Sequence, residues 1–125
     1  MTTHLTTLHA VAIPVRDQDA ALRFYTSTLG LEVRLDALLA EGFRWLEVAP
    51  PGAAVHLALV HADADFPAGR DTGIRLVSTD AAADHAALAA AGVDVGDLLL
   101  WETAPPMFHL RDLDGNILYV LEPPA

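Results

Sequence analysis

A chain of 125 residues that is 53% hydrophobic and 19% charged has the length and apolar content for one packed domain, not the composition of a disordered chain. Its formal net charge of −10, with 17 acidic residues against seven basic ones that are all arginine, argues against nucleic acid and anionic membrane surfaces as partners. The absence of cysteine excludes disulfides, thiolate metal sites and a Cys nucleophile; no apolar run is long enough to span a membrane and "MTTHLTTLHAV" is not a secretory signal, so the cytoplasm is the expected compartment.

Residues 8–15, "LHAVAIPV", alternate as a strand that turns Val11, Ile13 and Val15 to one face. Asp17 then stands as an N-cap whose carboxylate can accept from free amides of the first helical turn. Ala21, Leu22, Tyr25 and Leu29 recur at helical spacing, and Gly30 is the expected stop. Strands are expected at 31–38, 42–48 and 54–60, with "APPG" (49–52) turning between the last two. The polar "HADADFPAGRDT" (61–72), punctuated by Pro and Gly, reads as a linker.

The pattern then restarts. "GIRLVST" is a strand, Asp80 a second N-cap, "AAADHAALAAA" a helix and Gly92 its stop. Short strands follow at 93–95 and 98–102, and "DLDG" (112–115) joins "PMFHLRD" to "NILYVLE" as a hairpin. An offset of 63 lays Val11, Ile13, Val15 and Asp17 on Ile74, Leu76, Ser78 and Asp80, and "VHLALV" (55–60) on "LYVLEP" (118–123). The sequence therefore writes a βαβββ unit twice, and two such units must bury together the sheet face that one alone would leave wet. The expectation is an α+β fold of two tandem modules, about 5–62 and 72–123, in a single domain over 1–125.

"VRDQDAALRFYTSTLGLEV", "FRWLEVAPPG", the restart "GIRLVSTD…AAGVDV" and "RDLDGNILYVLE" cover most of the chain and together resemble the vicinal oxygen chelate superfamily, which includes glyoxalase I, extradiol dioxygenases and bleomycin-resistance proteins. The resemblance implies curved mixed sheets enclosing a cavity, and a homodimer with sites at its interface. In metal-using members the first and last strands of each module present the ligands, typically His or Gln on the first and Glu on the last. Carried over from Asp17 and Asp80, those positions are Ala10, His56, Gly73 and Tyr119. Alanine and glycine offer no donor and tyrosine is an uncommon ligand, so no metal and no cofactor are expected. His9 lies one residue off the ligand position, and a shift of one on a strand turns a side chain to the other face. A divalent metal held through a bulge or another alignment is the alternative.

The candidate ligand-binding residues are His56, Arg75, Tyr119, His109, Trp45 and Trp101. His56 suits hydrogen bonding or acid–base work; its bland reading is a histidine satisfied by neighbouring backbone. Ile74 and Leu76 take the helix-covered side of their strand, so Arg75 projects into the cavity and needs a partner, either Glu47 or Glu122 or an anionic or carbonyl group of a ligand. His109 alternates with Phe108 and Leu110 and so opposes the core, Tyr119 brings a phenol on an apolar ring, and Trp45 and Trp101, with Phe43, are candidate stacking walls. His85, on the Ala-rich helix, is expected to face solvent. G-x-S-x-G, Walker A and G-x-G-x-x-G stretches are absent. The leading expectation is a metal-free protein that binds a small organic molecule, with antibiotic sequestration as the precedent in the family. The alternatives are enzymes of the same superfamily. One is an acid–base isomerase or cyclase using His56 or Tyr119, with Arg75 stabilising an enolate; the other is a divalent-metal glyoxalase, lyase or dioxygenase. The acidity of the chain favours a cationic ligand, whereas Arg75 favours a local anionic or carbonyl group.

Overall fold

Two aspartates start the two helices. In the computed structural model, which describes residues 2–123, Asp17 accepts from the Ala20 amide and Asp80 from the Ala83 amide, each at 3.0 Å. They open α1 (Gln18–Arg23) and α2 (Ala81–Ala90), and the terminal residues of the expected 1–125 span, Met1, Pro124 and Ala125, lie outside the described residues. α1 does not run on as an α-helix to Gly30 but widens at Phe24 into a π-helical turn, Phe24–Thr28, with Gly30 beyond it at φ 76°. The wider turn accompanies burial of two adjacent aromatic rings, Phe24 and Tyr25, which meet edge to face at 5.4 Å.

The strands are β1 (Ala10–Val15), β2 (Glu32–Ala40), β3 (Phe43–Ala49), β4 (His56–His61), β5 (Asp71–Val77), β6 (Asp94–Val95), β7 (Met107–Arg111) and β8 (Ile117–Leu121). They form two four-stranded sheets of matching order, β1-β4-β3-β2 and β5-β8-β7-β6, in which the first and last strands of each unit pair in parallel and the rest are antiparallel. This is the expected α+β duplication of βαβββ units. The strand expected at 98–102 reduces to a single bridge, Leu99 to Met107, because Pro105 and Pro106 remove two amide donors from the facing chain.

Alternate residues of both sheets meet in one core: Ile13 and Val15, Leu46 and Val48, Leu57 and Leu59 from the first, Phe108 and Leu110, Leu118 and Val120 from the second. The opposite faces, turned away from that core, carry Trp45, Glu47 and His56 on one sheet and Arg75, His109 and Tyr119 on the other. A buried polar joint ties the halves. The Tyr25 hydroxyl donates to Asp112 at 2.6 Å, and the Asn116 amide donates to the Pro14 carbonyl at 2.7 Å and to Asp112 at 3.0 Å. Asn116 accepts in turn from the Gly69 and Arg70 amides. Burial, reinforced by the charge on Asp112, pushes the Tyr25 phenol well above the usual tyrosine range and keeps it a donor.

The register departs from the sequence offset at one place. Ala10 pairs with His56 and Ala12 with Ala58, whereas Asp71 pairs with Ile117 and Arg75 with Tyr119, so four steps along β5 match two along β8. The irregularity contains Gly73, whose φ of 69° suits a residue without a Cβ. The helix caps keep β1 and β5 at the offset of 63, so Arg75 answers Ala12 and Tyr119 answers Ala58. In the ladder itself, Asp71 and Ile117 pair where Ala10 and His56 pair in the first sheet, with Gly73 inside the bulge.

Replacing Tyr25 by Phe keeps the ring and leaves Asp112 one donor short. A loss of about 1–3 kcal/mol is expected, read as a lower denaturant midpoint at unchanged m-value.

Candidate functional site

On the first sheet the chemistry gathers around Glu47, which points away from the core and yet is only 2% exposed. It accepts from the Trp45 indole nitrogen at 2.6 Å and lies 2.6 Å from His56 Nδ1 and 3.1 Å from His9 Nε2. Burial pushes its pKa up, but the hydrogen bonds from Trp45, His56 and His9 outweigh burial and hold the carboxyl below its ordinary value near 4.5. Arg34 approaches His56 from the other side, its Nη1 3.3 Å from Nε2, while the same guanidinium donates to the Pro50 and Ala53 carbonyls. A guanidinium only donates and a carboxylate only accepts, so His56 carries its proton on Nδ1, toward Glu47, and accepts at Nε2. Both of its ring nitrogens are engaged. Arg34 sits where the β2–β3 register slips between Val33 and Leu35, and such a bulge re-aims a side chain.

His9 joins this cluster, contrary to the expectation that it faces the other way. It precedes the first residue of β1, where the pleat no longer dictates direction, and its carbonyl is held by the His56 amide at 2.9 Å. Its ring folds over the end of the sheet, 5.1 Å from that of His56. With Nε2–H donated to Glu47, Nδ1 is left free on a side chain 72% exposed.

His9, Glu47 and His56 bring ligand atoms within 4.8 Å of one another, a residue set that could serve a divalent ion. As arranged, the set does not fit one. A metal taking the Nδ1 lone pair of His56 would move the ring proton to Nε2, against a donor of Arg34.

On the second sheet Arg75, Tyr119 and His109 share one row. The Arg75 guanidinium lies over the Tyr119 ring, 4.3 Å from its centroid, and donates to the Gly73 carbonyl at 2.7 Å. The Tyr119 hydroxyl donates to Asp71 at 2.6 Å, and that bond, helped by the Gly73 amide, holds Asp71 below the usual carboxylate range and raises Tyr119. The expected carboxylate partners of Arg75 are engaged elsewhere, which is a correction: Glu47 serves its own sheet, and Glu122 accepts from the Ala81 amide at the start of α2. The His109 ring lies over Gly96, where a Cβ would fall 2.2 Å from its Cε1. His85 does not face solvent but donates from Nε2 to the Gly96 carbonyl at 2.7 Å, its ring edge-on to Phe108.

The six candidates thus divide. His56 and Trp45 meet at Glu47, with Phe43 stacked 6.4 Å from Trp45; Arg75, Tyr119 and His109 form the second group. Trp101, 53% exposed between β6 and β7, belongs to neither. The sequence reading missed Arg34, Asp71 and Gly96, and it gave Glu47 another partner. The alternation in "WLE" put Trp45 and Glu47 on one face, so that part was available. A cleft of about 780 Å³ opens between β5 and the 50–55 turn, floored by Val11 and Leu57, with Arg75 on its rim.

The profile of the Glyoxalase/Bleomycin resistance protein/Dioxygenase superfamily matches residues 7–119. TnmS3, an antibiotic binding protein from Streptomyces sp. CB03234, is 32% identical in sequence with a TM-score of 0.87, covering 98% of this chain and 100% of that one. A member of the same superfamily from Sphaerobacter thermophilus DSM 20745 is 31% identical with a TM-score of 0.88, over 97% of this chain and 100% of its own. The uncharacterized protein YetH of Bacillus subtilis strain 168 is 39% identical over 49 residues, 39% of this chain and 41% of its own length.

Because the folded pKa of Glu47 lies below its unfolded value, its contribution is complete above that unfolded value and fades as pH falls through the folded one. Glu47→Gln is expected to be about 1.5–3 kcal/mol less stable at pH 7 and to lose less on acidification than the parent, in denaturant titrations across pH. Arg34→Met removes the donor that fixes the His56 proton, and calorimetry with Zn²⁺ is expected to show affinity in the variant that the parent lacks.

Proposed function

The chain belongs to the glyoxalase/bleomycin resistance protein/dioxygenase superfamily, and on that premise we propose that it is a metal-free, cytoplasmic, dimeric member that sequesters a small organic molecule, an antibiotic first among the candidates. The observation that carries this reading is His56. The one histidine at a position where metal-using relatives place a ligand is closed by Glu47 on one nitrogen and by Arg34 on the other. A ring with both nitrogens so engaged presents neither an open lone pair nor an open N–H to a ligand, but it can shape a wall.

Sequestration asks for less: a drug-sized concave space, apolar walls and a few fixed polar groups. The cleft beside β5 has the volume, and Pro50, Pro51, Ala54 and Val55 give it apolar walls. Arg75 would orient the ligand there, held in place by the Tyr119 ring beneath its guanidinium. The likeness to the antibiotic binding protein TnmS3 supports the same reading. A second copy would supply the rest of the enclosure. Leu35, Leu38 and Leu39 on β2 and Val77 on β5 are exposed apolar surface of the kind a dimer covers.

One observation favours a second reading, a metal-independent acid–base enzyme. Glu47 fixes the tautomer of His9 and leaves its Nδ1 lone pair open, the arrangement of a general base.

A thermal-shift screen of antibiotics against the purified protein separates the two. A sequestered compound present at 100 times its Kd is expected to stabilise the fold by about 2.7 kcal/mol and to be recovered chemically unchanged. Conversion to a product that His9→Ala abolishes would establish the enzyme instead, and stoichiometric metal in the purified protein would end the metal-free reading. Light scattering should report twice the 13.3 kDa chain mass.

A further inference from the structure

The cleft beside β5 differs in charge from the chain that forms it. The protein has 17 acidic residues and seven arginines, yet the cleft is lined by no Asp or Glu and by one charged side chain, Arg75. Four of the other six arginines are ion-paired, Arg44 with Asp19 and Asp36, Arg34 with Glu32, Arg16 with Asp114 and Arg111 with Asp94, and the remaining two, Arg23 and Arg70, do not line the cleft. Among the described residues Arg75 has no such ion pair. Asp71, a carboxylate that feels the Arg75 charge, is committed through one oxygen to the Tyr119 hydroxyl and through the other to the Gly73 amide.

Arg75 is also held in a presenting pose. The Tyr119 ring supports the guanidinium from below and the Gly73 carbonyl takes Nη1, which leaves Nε–H and Nη2–H as a side-by-side pair of donors. The backbone adds to them. The Ser78 amide bonds to the Leu121 carbonyl, so the even-numbered residues of β5 face β8 and the amides of Arg75 and Val77 face the open edge. Donors therefore line one side of the cleft, and apolar side chains of the 50–55 turn stand opposite.

We propose that this cleft selects an apolar molecule carrying one ionised acid group, which docks on Arg75 while the apolar body lies against the 50–55 turn, and that it discriminates against cations despite the acidity of the chain. This rests on the small-molecule reading above and names the ligand class for the same cleft. It also favours the anionic of the two ligand expectations that the sequence left open, because the acidic residues lie outside the cleft and an arginine without an ion pair lies at it.

A matched pair of fluorescent probes tests the proposal: 8-anilinonaphthalene-1-sulfonate and its uncharged counterpart, N-phenyl-1-naphthylamine. The parent protein is expected to bind the sulfonate about tenfold more tightly than the neutral probe, the ratio that one added charge-assisted hydrogen bond supplies. Arg75→Met, whose melting temperature should match the parent because the side chain is exposed, is expected to lose that preference and to keep the neutral probe within about twofold. Ala54→Trp, which fills the cleft from the turn, is expected to lose both probes. If the parent binds neither probe, or Ala54→Trp changes neither, the small-molecule cleft itself is overturned. If both probes bind and are lost in Ala54→Trp, but the sulfonate has no advantage or keeps it in Arg75→Met, the cleft stands and the anion preference is overturned.

Discussion

Asp112 is a carboxylate only 7% exposed, and the packing of the two halves depends on satisfying it. It receives the Tyr25 hydroxyl from the first module and, from its own turn, the amides of Asp114 and Asn116 and the Asn116 side chain. Any other seating of the first helix would bury a carboxylate short of donors, at a cost larger than most single contacts in a core. The joint therefore selects one packing of the modules. With it come the shared apolar core, the outward direction of both polar faces, and the open edge of β5 beside the 50–55 turn.

On this frame the two modules have diverged position by position. By register, Glu47 pairs with Ala58 and His109 with Tyr119, and Ala58 answers Tyr119, so Glu47 and His109 occupy the same place in the pleat. The row that reads Ala12, Ala58, Glu47 in the first sheet reads Arg75, Tyr119, His109 in the second. The first face concentrates its polarity in one carboxylate enclosed by donors. The second builds outward from small residues to a cation lying on a phenol. Duplicated backbone fixed where side chains can stand, and the substitutions made one half an anion enclosed by donors and the other a presented cation.

The sequence was most informative where the physics is local. The caps at Asp17 and Asp80, the stops at Gly30 and Gly92 and the "DLDG" turn are each decided within four residues, and all were legible. The core faces were legible from alternation, as was the direction of Arg75 and His109 away from the core. What was hidden depends on register or on distant pairing. A two-residue bulge in β5 leaves the helix caps in step while moving Tyr119 off the place of His56, and an offset drawn from the caps cannot reveal it. Arg34 reaches His56 across 22 residues of chain, and His9 reaches Glu47 across 38. His85 looked solvent-facing because an Ala-rich helix shows no strong apolar stripe; its bond to the Gly96 carbonyl depends on where the short β6 ends.

Two of the hidden features arise at irregularities of edge strands. Arg34 stands at the slip in β2, and Gly73 and Arg75 stand at the slip in β5. A bulge releases a residue from the alternation of the pleat, so a long cation can be aimed along the sheet edge instead of across its face. The 50–55 turn lies between the two. Arg34 holds it through the Pro50 and Ala53 carbonyls, and its opposite side walls the cleft that Arg75 borders. The guanidinium that closes His56 is thus the same one that positions the cleft wall. The loss of an available ring nitrogen at His56 and the shaping of an apolar binding surface are consequences of one side chain, and a change at Arg34 would act on both at once.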